Sequence, residues 1–262
     1  MRANAALAAW GSQKKATPGY DTQHLRCSAA RGQFFFRPCP GRVLVGKGKL
    51  PPGAETWRDM NQCTKSSDGL SEHSPEPGQR VVVGMSGGVD SSVAAALLAA
   101  AGYDVVGIFM RLLGSGPESG CCSLDDCFDA RRVAARLRIP FSVMDVKERF
   151  GCAVVEPFVS EYLQGRTPNP CVHCNRSVKF CGLWERARAL GAQWIATGHY
   201  ARVRRDPETG RAQLWSATDA AKDQSYFLFA LEPEVLQRTL LPLGEMTKAE
   251  VRARAQASNT AF

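Results

Sequence analysis

From Arg80 onward, short apolar runs alternate with longer stretches of helical periodicity. RVVVG carries three β-branched valines, Val81 to Val83, a run suited to a strand buried on both faces. It turns through Gly84, Ser86, Gly87 and Gly88 into VAAALLAAAGY, an Ala/Leu-rich helix that stops at Gly102. Asp90, Ser91 and Ser92 occupy the positions expected of helix caps. DVVGIFMRLL (104–113) predicts a second strand. SLDDCFDARRVAARLRI predicts a helix with Ser123 as N-cap, acids in its first turn and arginines towards its end. PFSVMDV (140–146) predicts a third strand, and a helical stretch follows Pro157 and ends at Gly165. An amphipathic helix spans 176–191, closed by Gly191, before a fourth strand over 192–198. ARVRRDPETGRAQLWSA predicts a hairpin turning at PETG. Three short helical pieces come next, the last opening with Thr247 and Glu250 as a capping box. Such alternation predicts an α/β domain, a parallel sheet with helices on both faces.

The 262 residues allow one large or two ordinary domains, and 44% hydrophobic content is normal for a globular chain. No run approaches the roughly 18 apolar residues of a membrane span, so no membrane partner is expected. Composition changes near residue 79. Residues 1–79 hold 11 basic and 6 acidic side chains, leaving 22 and 19 for residues 80–262. Most of the formal +8 therefore lies in the N-terminal segment and is discounted as a sign of a polyanionic partner. That segment ends in the polar TKSSDGLSEHSPEPGQ. It predicts a disordered basic extension with a linker, a misassigned start, or a transit peptide to a mitochondrion or plastid. Without a transit peptide the location expected is the cytoplasm. Ten cysteines with no signal-peptide pattern point to reactive or metal-bound thiols rather than a disulfide framework.

A glycine loop between a strand and a helix N-terminus is an anion site, because unpaired N–H groups and the positive end of the helix dipole converge there. The spacing SGGVDSS is neither GxxxxGK[ST] nor GxGxxG. It resembles the pyrophosphate loop of the ATP pyrophosphatase family, whose members split ATP between the α and β phosphates and adenylate an oxygen on a second substrate. That resemblance implies an adenine nucleotide alpha hydrolase-like, Rossmann-like fold. The alternative is an ordinary strand-to-helix turn rich in glycine.

In GRTPNPCVHCNRSVKF (165–180), the prolines flanking Asn169 hold the backbone extended. A rigid loop is expected to present Cys171 and Cys174 just before a helix N-terminus, where the dipole favours a thiolate. His173, Arg176 and Lys179 add positive neighbours. The C-x-x-C admits half of a zinc or iron–sulfur site, a redox pair, or one nucleophilic thiol beside an incidental one. Cys121, Cys122 and Cys127 lie elsewhere, but the adjacency of the first two suits a tetrahedral site poorly, and no metal site is predicted.

TPNPCVHCN followed by KF, then ATGHYARV (196–203) and KDQSYFL (222–228), together with SGGVDSS, resembles the tRNA-specific 2-thiouridylase family from about residue 80 to about 255. The resemblance implies an enzyme that exchanges the 2-oxygen of the wobble uridine of tRNA for sulfur. It places Gly84, Met85, Ser86, Gly87, Gly88, Val89, Asp90 and Ser91 on ATP, with Met110 and Gly198 also on the nucleotide. Asn169, Pro170 and Cys171 are then expected on the target base, Cys174 as the nucleophile, and Lys222, Asp223 and Gln224 on tRNA. Adenylation turns the unreactive C2 oxygen into a leaving group. Pyrophosphate departs into the loop with Mg2+ offsetting its charge, and Asp90 is assigned to that Mg2+ end, or to a plain N-cap. A sulfur-donor protein, a persulfide relay or a cysteine desulfurase, is the second partner expected.

The family's second cysteine, the persulfide carrier, lies downstream of the KDQ segment, whereas no cysteine follows Cys181 here and the chain ends at RAQASNTAF. A catalytic domain over 80–262 incomplete at its C-terminus is expected, or another thiol such as Cys181 or Cys122 substitutes. Two further readings stay open: another adenylating ligase or amidotransferase with the same loop, and a non-catalytic remnant that binds ATP and tRNA. His199 is expected to be a satisfied structural histidine or an ATP contact. Tyr226, Phe227, Leu228 and Phe229 are expected in the core, and the Arg131, Arg132, Arg136 and Arg138 cluster on a solvated surface or a tRNA backbone.

Overall fold

The computed structural model describes residues 75–112 and 123–258; the expectations for residues 1–74 and for Cys121 and Cys122 lie outside the described residues. Strands β1 (Arg80–Gly84), β2 (Asp104–Arg111), β3 (Phe141–Asp145) and β4 (Trp194–Thr197) form on the apolar runs. Strands β5 (Arg202–Arg205) and β6 (Ala212–Trp215) make the antiparallel hairpin expected at PETG. Asp206 closes its turn by accepting from the Glu208 and Thr209 amides at 3.0 and 2.8 Å. A further strand, β7 (Thr239–Leu240), pairs in parallel with β4 and completes a five-stranded sheet ordered β3-β2-β1-β4-β7. At two residues it is too short to show periodicity in the sequence. The order reverses direction at β1, so the crevice between the carboxyl ends of β1 and β4 is the switch point where such sheets bind ligands.

The valine run is explained by its two faces. Val81 and Val83 pack on α1 (Val89–Ala100) and α2 (Leu124–Leu137) through Ala95, Leu98, Ala130 and Val133. Val82 packs on the opposite side against Phe180, Leu183 and Ala187. Alternate side chains of one strand thus meet two apolar layers, which demands an unbroken apolar run. Helix α1 is buried twice over. One side lies on the sheet, and Val93 and Ala94 pack under α7 (Lys248–Ala257) with Tyr200, Leu243 and Val251. This accounts for the absence of a polar face in VAAALLAA. Both capping boxes form as expected, Ser123 with Asp126 and Thr247 with Glu250. Helix α2 stops at Leu137, where Arg138 turns left-handed with φ 55°.

Two helices start earlier than the sequence predicts. Helix α3 (147–163) begins at Lys147 rather than after Pro157. A π-helical turn over Gly151–Val155 precedes the proline, which therefore falls in the first turn of the α-helical segment Glu156–Leu163, where a missing N–H is tolerated. Helix α4 (170–189) begins at Pro170 and passes through a second π-helical stretch, Cys174–Phe180. Cys171 and Cys174 therefore lie on the helix and not in a loop before it. The reason is Asn169, whose Oδ1 accepts from the Cys171 and Val172 amides at 3.1 and 3.4 Å, with Pro170 pre-set for the first helical position. Helices α5 (Ser225–Leu228) and α6 (Pro233–Gln237) cover the lower layer through Leu228 and Val235.

Leu183 is fully buried under the sheet and Phe128 is 58% exposed on α2. Leu183→Ala should lower unfolding stability by about 2–5 kcal/mol, and Phe128→Ala by less than about 0.5 kcal/mol. Urea titration of both variants checks this; equal losses would contradict the assignment of faces.

Candidate functional site

The loop after β1 is shaped by backbone contacts on two sides. Gly87 has φ 80°, and a Cβ there would run into the backbone of Asp126 at the start of α2. Gly198, after β4, lies so close to the first turn of α1 that a Cβ would come within 2.6 Å of the Ser91 nitrogen. The N-cap of α1 is Gly88, not Asp90 or the serines, and it offers no side-chain cap. Asp90, Ser91 and Ser92 lie inside the first turn, and the two serine hydroxyls donate back to the Gly88 carbonyl at 3.1 and 2.9 Å. Met85 and Ser86 donate their N–H groups to the Ile108 carbonyl at 2.8 Å and to Ser91 Oγ at 3.1 Å. Met85 is also buried by its side chain, against Gly107. With the Gly88 N–H directed at Ser86 Oγ at 3.5 Å and Gly198 against the Ser91 nitrogen, the amides of Gly87, Val89 and Asp90 are the ones placed for an anion, at the positive end of a helix dipole with no side-chain cap. Gly84 and Met110 stand beside them: a Cβ on Gly84 would touch Thr197 Cγ2 at 3.7 Å and Met110 Cε at 3.8 Å.

Asp90 is held. Lys248 Nζ lies 2.6 and 2.7 Å from its two oxygens, and the Tyr200 hydroxyl donates to Oδ1 at 2.9 Å. Burial, and then the Asp90 carboxylate, push the Tyr200 hydroxyl well above its ordinary pKa, so it remains a donor. An ammonium fills the place and balances the charge, so these residues as arranged do not fit a Mg2+ ion at Asp90. Sequence reasoning missed Lys248. Its signal is a lysine at the first position of a helix, where the dipole opposes a cation unless an anion is opposite.

On the other side of the edge, Cys174 is buried with Leu112, Val146, Phe150, Val154 and Val178, and Met110 packs against this group. Met110 therefore bridges from Gly84 to the Cys174 cluster. Cys171 is exposed one turn earlier. Among the described residues no three His, Cys, Asp or Glu side chains gather as a metal would need. Burial, offset in part by Arg149, pushes the Cys181 thiol up, which disfavours it as a substitute thiolate. His199 accepts or donates at 2.8 Å to Thr197 Oγ1 and lies against the Phe180 ring at 5.4 Å between centroids. Burial, with Lys179 adding to it, lowers its pKa to about 3, so the ring is neutral.

The KDQ segment divides by role. The Asp223 carboxylate accepts from the Ala217 amide at 2.7 Å and from the Ser225 hydroxyl at 2.7 Å. Gln224 Oε1 accepts from the Tyr200 amide at 2.9 Å, while Lys222 is exposed. Of the three, the lysine alone extends its side chain to solvent. Leu228 is in the core as expected, but Tyr226 and Phe229 are 63% and 64% exposed, because the short helix α5 can bury only one side. Their rings pair at 5.9 Å. Arg131, Arg132, Arg136 and Arg138 are all exposed.

Residues 79–261 match the family model described as the tRNA methyl transferase HUP domain. The chain is 57% identical over 185 residues to tRNA-specific 2-thiouridylase MnmA of Geotalea uraniireducens, across 68% of this chain and 49% of that protein. It is 52% identical over 181 residues to the protein of the same name from Heliobacterium modesticaldum, across 68% and 47%. The chain belongs to the tRNA-specific 2-thiouridylase family. It spans about half the length of the curated 2-thiouridylases it matches. Among solved structures it is similar, at 19% identity and a TM-score of 0.49, to a 4-thiouridine synthetase–RNA complex with bound ATP, over 70% of this chain and 41% of that one; that distance carries no functional weight. The four motifs of this 2-thiouridylase-family chain interlock: Gly198 on the first turn of α1, Gln224 on Tyr200, and Asn175 on the Phe227 carbonyl. Among the described residues no helix is long and apolar enough to cross a membrane.

A double-mutant cycle of Asp90→Asn and Lys248→Met, read by urea unfolding, should give a coupling of about 1 kcal/mol or more; additive losses would dissolve the pair. The His199 shift also has a sign. Its folded pKa lies below the ordinary 6.5, so the unfolded chain takes up a proton that the folded one does not. The associated stability is complete above pH 6.5 and is lost as pH falls towards 3. His199→Asn should therefore flatten the drop in urea midpoint between neutral pH and pH 5, and the wild-type ring should stay neutral there by NMR.

Proposed function

We propose that this chain performs ATP-dependent 2-thiolation of a wobble uridine in tRNA. The observation that carries the reading is the convergence, at one carboxyl edge of the sheet, of an uncapped helix N-terminus and a buried cysteine joined through Met110. The adenine nucleotide lies along Gly84–Ser91, Met110 and Gly198, with its phosphates on the amides from Gly87 onward. The uridine O2 attacks the α-phosphorus and pyrophosphate leaves into the loop. Amides fixed before the substrate arrives stabilise that developing charge without reorganisation. The outer sulfur of the donor persulfide then attacks C2, and the original oxygen departs in AMP. A thiolate next attacks the inner sulfur of the resulting disulfide, which releases 2-thiouridine and leaves a new disulfide between that thiol and the donor. Cys174 is the nucleophilic thiol on this reading, supported by its place beside Met110. Asn169, Pro170 and Cys171 form the lip of the base site, where Asn169 acts first as the cap that fixes the start of α4. Lys222 meets the RNA backbone, while Asp223 and Gln224 hold the segment that carries it. A persulfide relay or a cysteine desulfurase supplies the sulfur. Mg2+ enters the reading only as the usual companion of ATP, since Asp90 as arranged does not receive it.

Single-turnover assays with labelled ATP and uridine-bearing tRNA test this. The wild-type chain with a sulfur donor should release pyrophosphate only with tRNA present and form 2-thiouridine. Cys174→Ser should keep tRNA-dependent pyrophosphate release and lose thiolated product by about a thousandfold or more. Pyrophosphate release indifferent to tRNA would overturn the reading.

A further inference from the structure

We propose that Asn175 reads the target base: its side-chain oxygen accepts the N3–H of uridine and so selects uridine over cytidine. This role rests on the thiolation reading above and adds a base contact that the family resemblance does not assign. Asn175 is 5% exposed and lies on the π-helical stretch of α4, next in the chain to Cys174. Its Nδ2 donates to the Phe227 carbonyl at 3.3 Å. A carbonyl can only accept, so this bond sets the orientation of the amide, with nitrogen on Phe227 and Oδ1 on the other side. Among the described residues that oxygen has no hydrogen-bond partner, a state it shares only with Arg111 Nε among buried side-chain atoms. A buried, oriented acceptor left unpaired is costly, and one beside a substrate site calls for a donor from the substrate.

The surroundings narrow the donor. Asn175 joins α4 to the stretch after Gln224, so the two segments read as RNA-facing meet at this one amide. Uridine presents a donor at N3, the atom bonded to the C2 that is attacked. Thiol and acceptor stand on consecutive residues of one helix, whose side chains point about 100° apart, so the two approach the base from different sides rather than side by side. Cytidine presents a lone pair at N3, which would face Oδ1 acceptor to acceptor. Discrimination of this kind, in which the wrong base leaves a buried polar group unpaired, is stronger than any shape filter for bases of the same size.

The test uses pyrophosphate release by the full chain with anticodon stem-loops carrying uridine, N3-methyluridine or cytidine at the target position. Wild type should favour uridine over both. Asn175→Ala should lower the uridine rate by about tenfold, bring uridine and N3-methyluridine to about the same rate, and raise cytidine relative to uridine. ATP binding without RNA should stay unchanged, which shows that the variant folds. Asn175→Ser gives the same reading should the alanine variant fail to fold. An asparagine that merely ties two helices together would lower every rate alike and keep the wild-type ratios, and that result overturns the proposal. Pyrophosphate release absent with every stem-loop removes the thiolation reading and this role together; uridine-dependent release with ratios unmoved by the variants removes this role alone.

Discussion

Backbone meets backbone at the start of α1 from two directions. Gly87 presses on the first turn of α2, and Gly198 presses on α1 from the end of β4. Neither contact leaves room for a side chain. Together they fix where the amides after Gly87 point, at the switch point of a five-stranded parallel sheet. On the proposed reading these donors meet phosphate, and aiming them in advance avoids a reorganisation on binding that would consume the energy they contribute. Gly88 at the N-cap is not crowded, but it brings no side-chain acceptor to occupy the donors of the first turn.

Charge around this point is balanced locally. Lys248 opens α7 against the helix dipole, which Asp90 opposite offsets, and Tyr200 donates to the same carboxylate. Two helix N-termini, those of α1 and α7, are therefore joined through one ion pair on the rim of the glycine loop. A cation that reaches Asp90 must displace the Lys248 ammonium that opens α7. The Asp219 carboxylate, which accepts from the Lys248 amide at 2.9 Å, extends this coupling to the segment leading into KDQ.

Most of the architecture was legible because burial on two faces leaves a plain mark. The valines of β1 and the apolar run of β2 declare central strands, and glycine at positions 102 and 191 declares helix ends. The errors share a cause, which is that a local rule was overridden by a neighbour. Pro157 does not start its helix because a π turn runs into it from the N-terminal side and leaves it in the first turn of Glu156–Leu163, where a missing N–H is tolerated. The cysteines are helical because Asn169 caps the segment before them. Asp90 is no cap because the helix begins ahead of it, at Val89, and its carboxylate pairs with Lys248, distant in sequence. Tyr226 and Phe229 are exposed because a helix of one turn has only one buried side, a length that composition does not reveal. Of the site, the glycine loop and the two cysteines were readable from motif spacing; Lys248, Tyr200 and Asn175 were not, since their partners lie 158, 110 and 52 positions away.

The widened turns of α3 and α4 have a consequence for the thiol. Each such turn behaves as one residue inserted into a regular helix, and α4 carries its own between Cys174 and Phe180. Removing a single residue there would restore ordinary winding and rotate one half of the helix against the other by about 100°. With Phe180 and Leu183 anchored beneath the sheet, the rotation would fall on the N-terminal half and swing the sulfur out of its apolar nest. The aim of this cysteine is thus encoded as a length, one extra link in a spiral, rather than in the identity of any side chain around it.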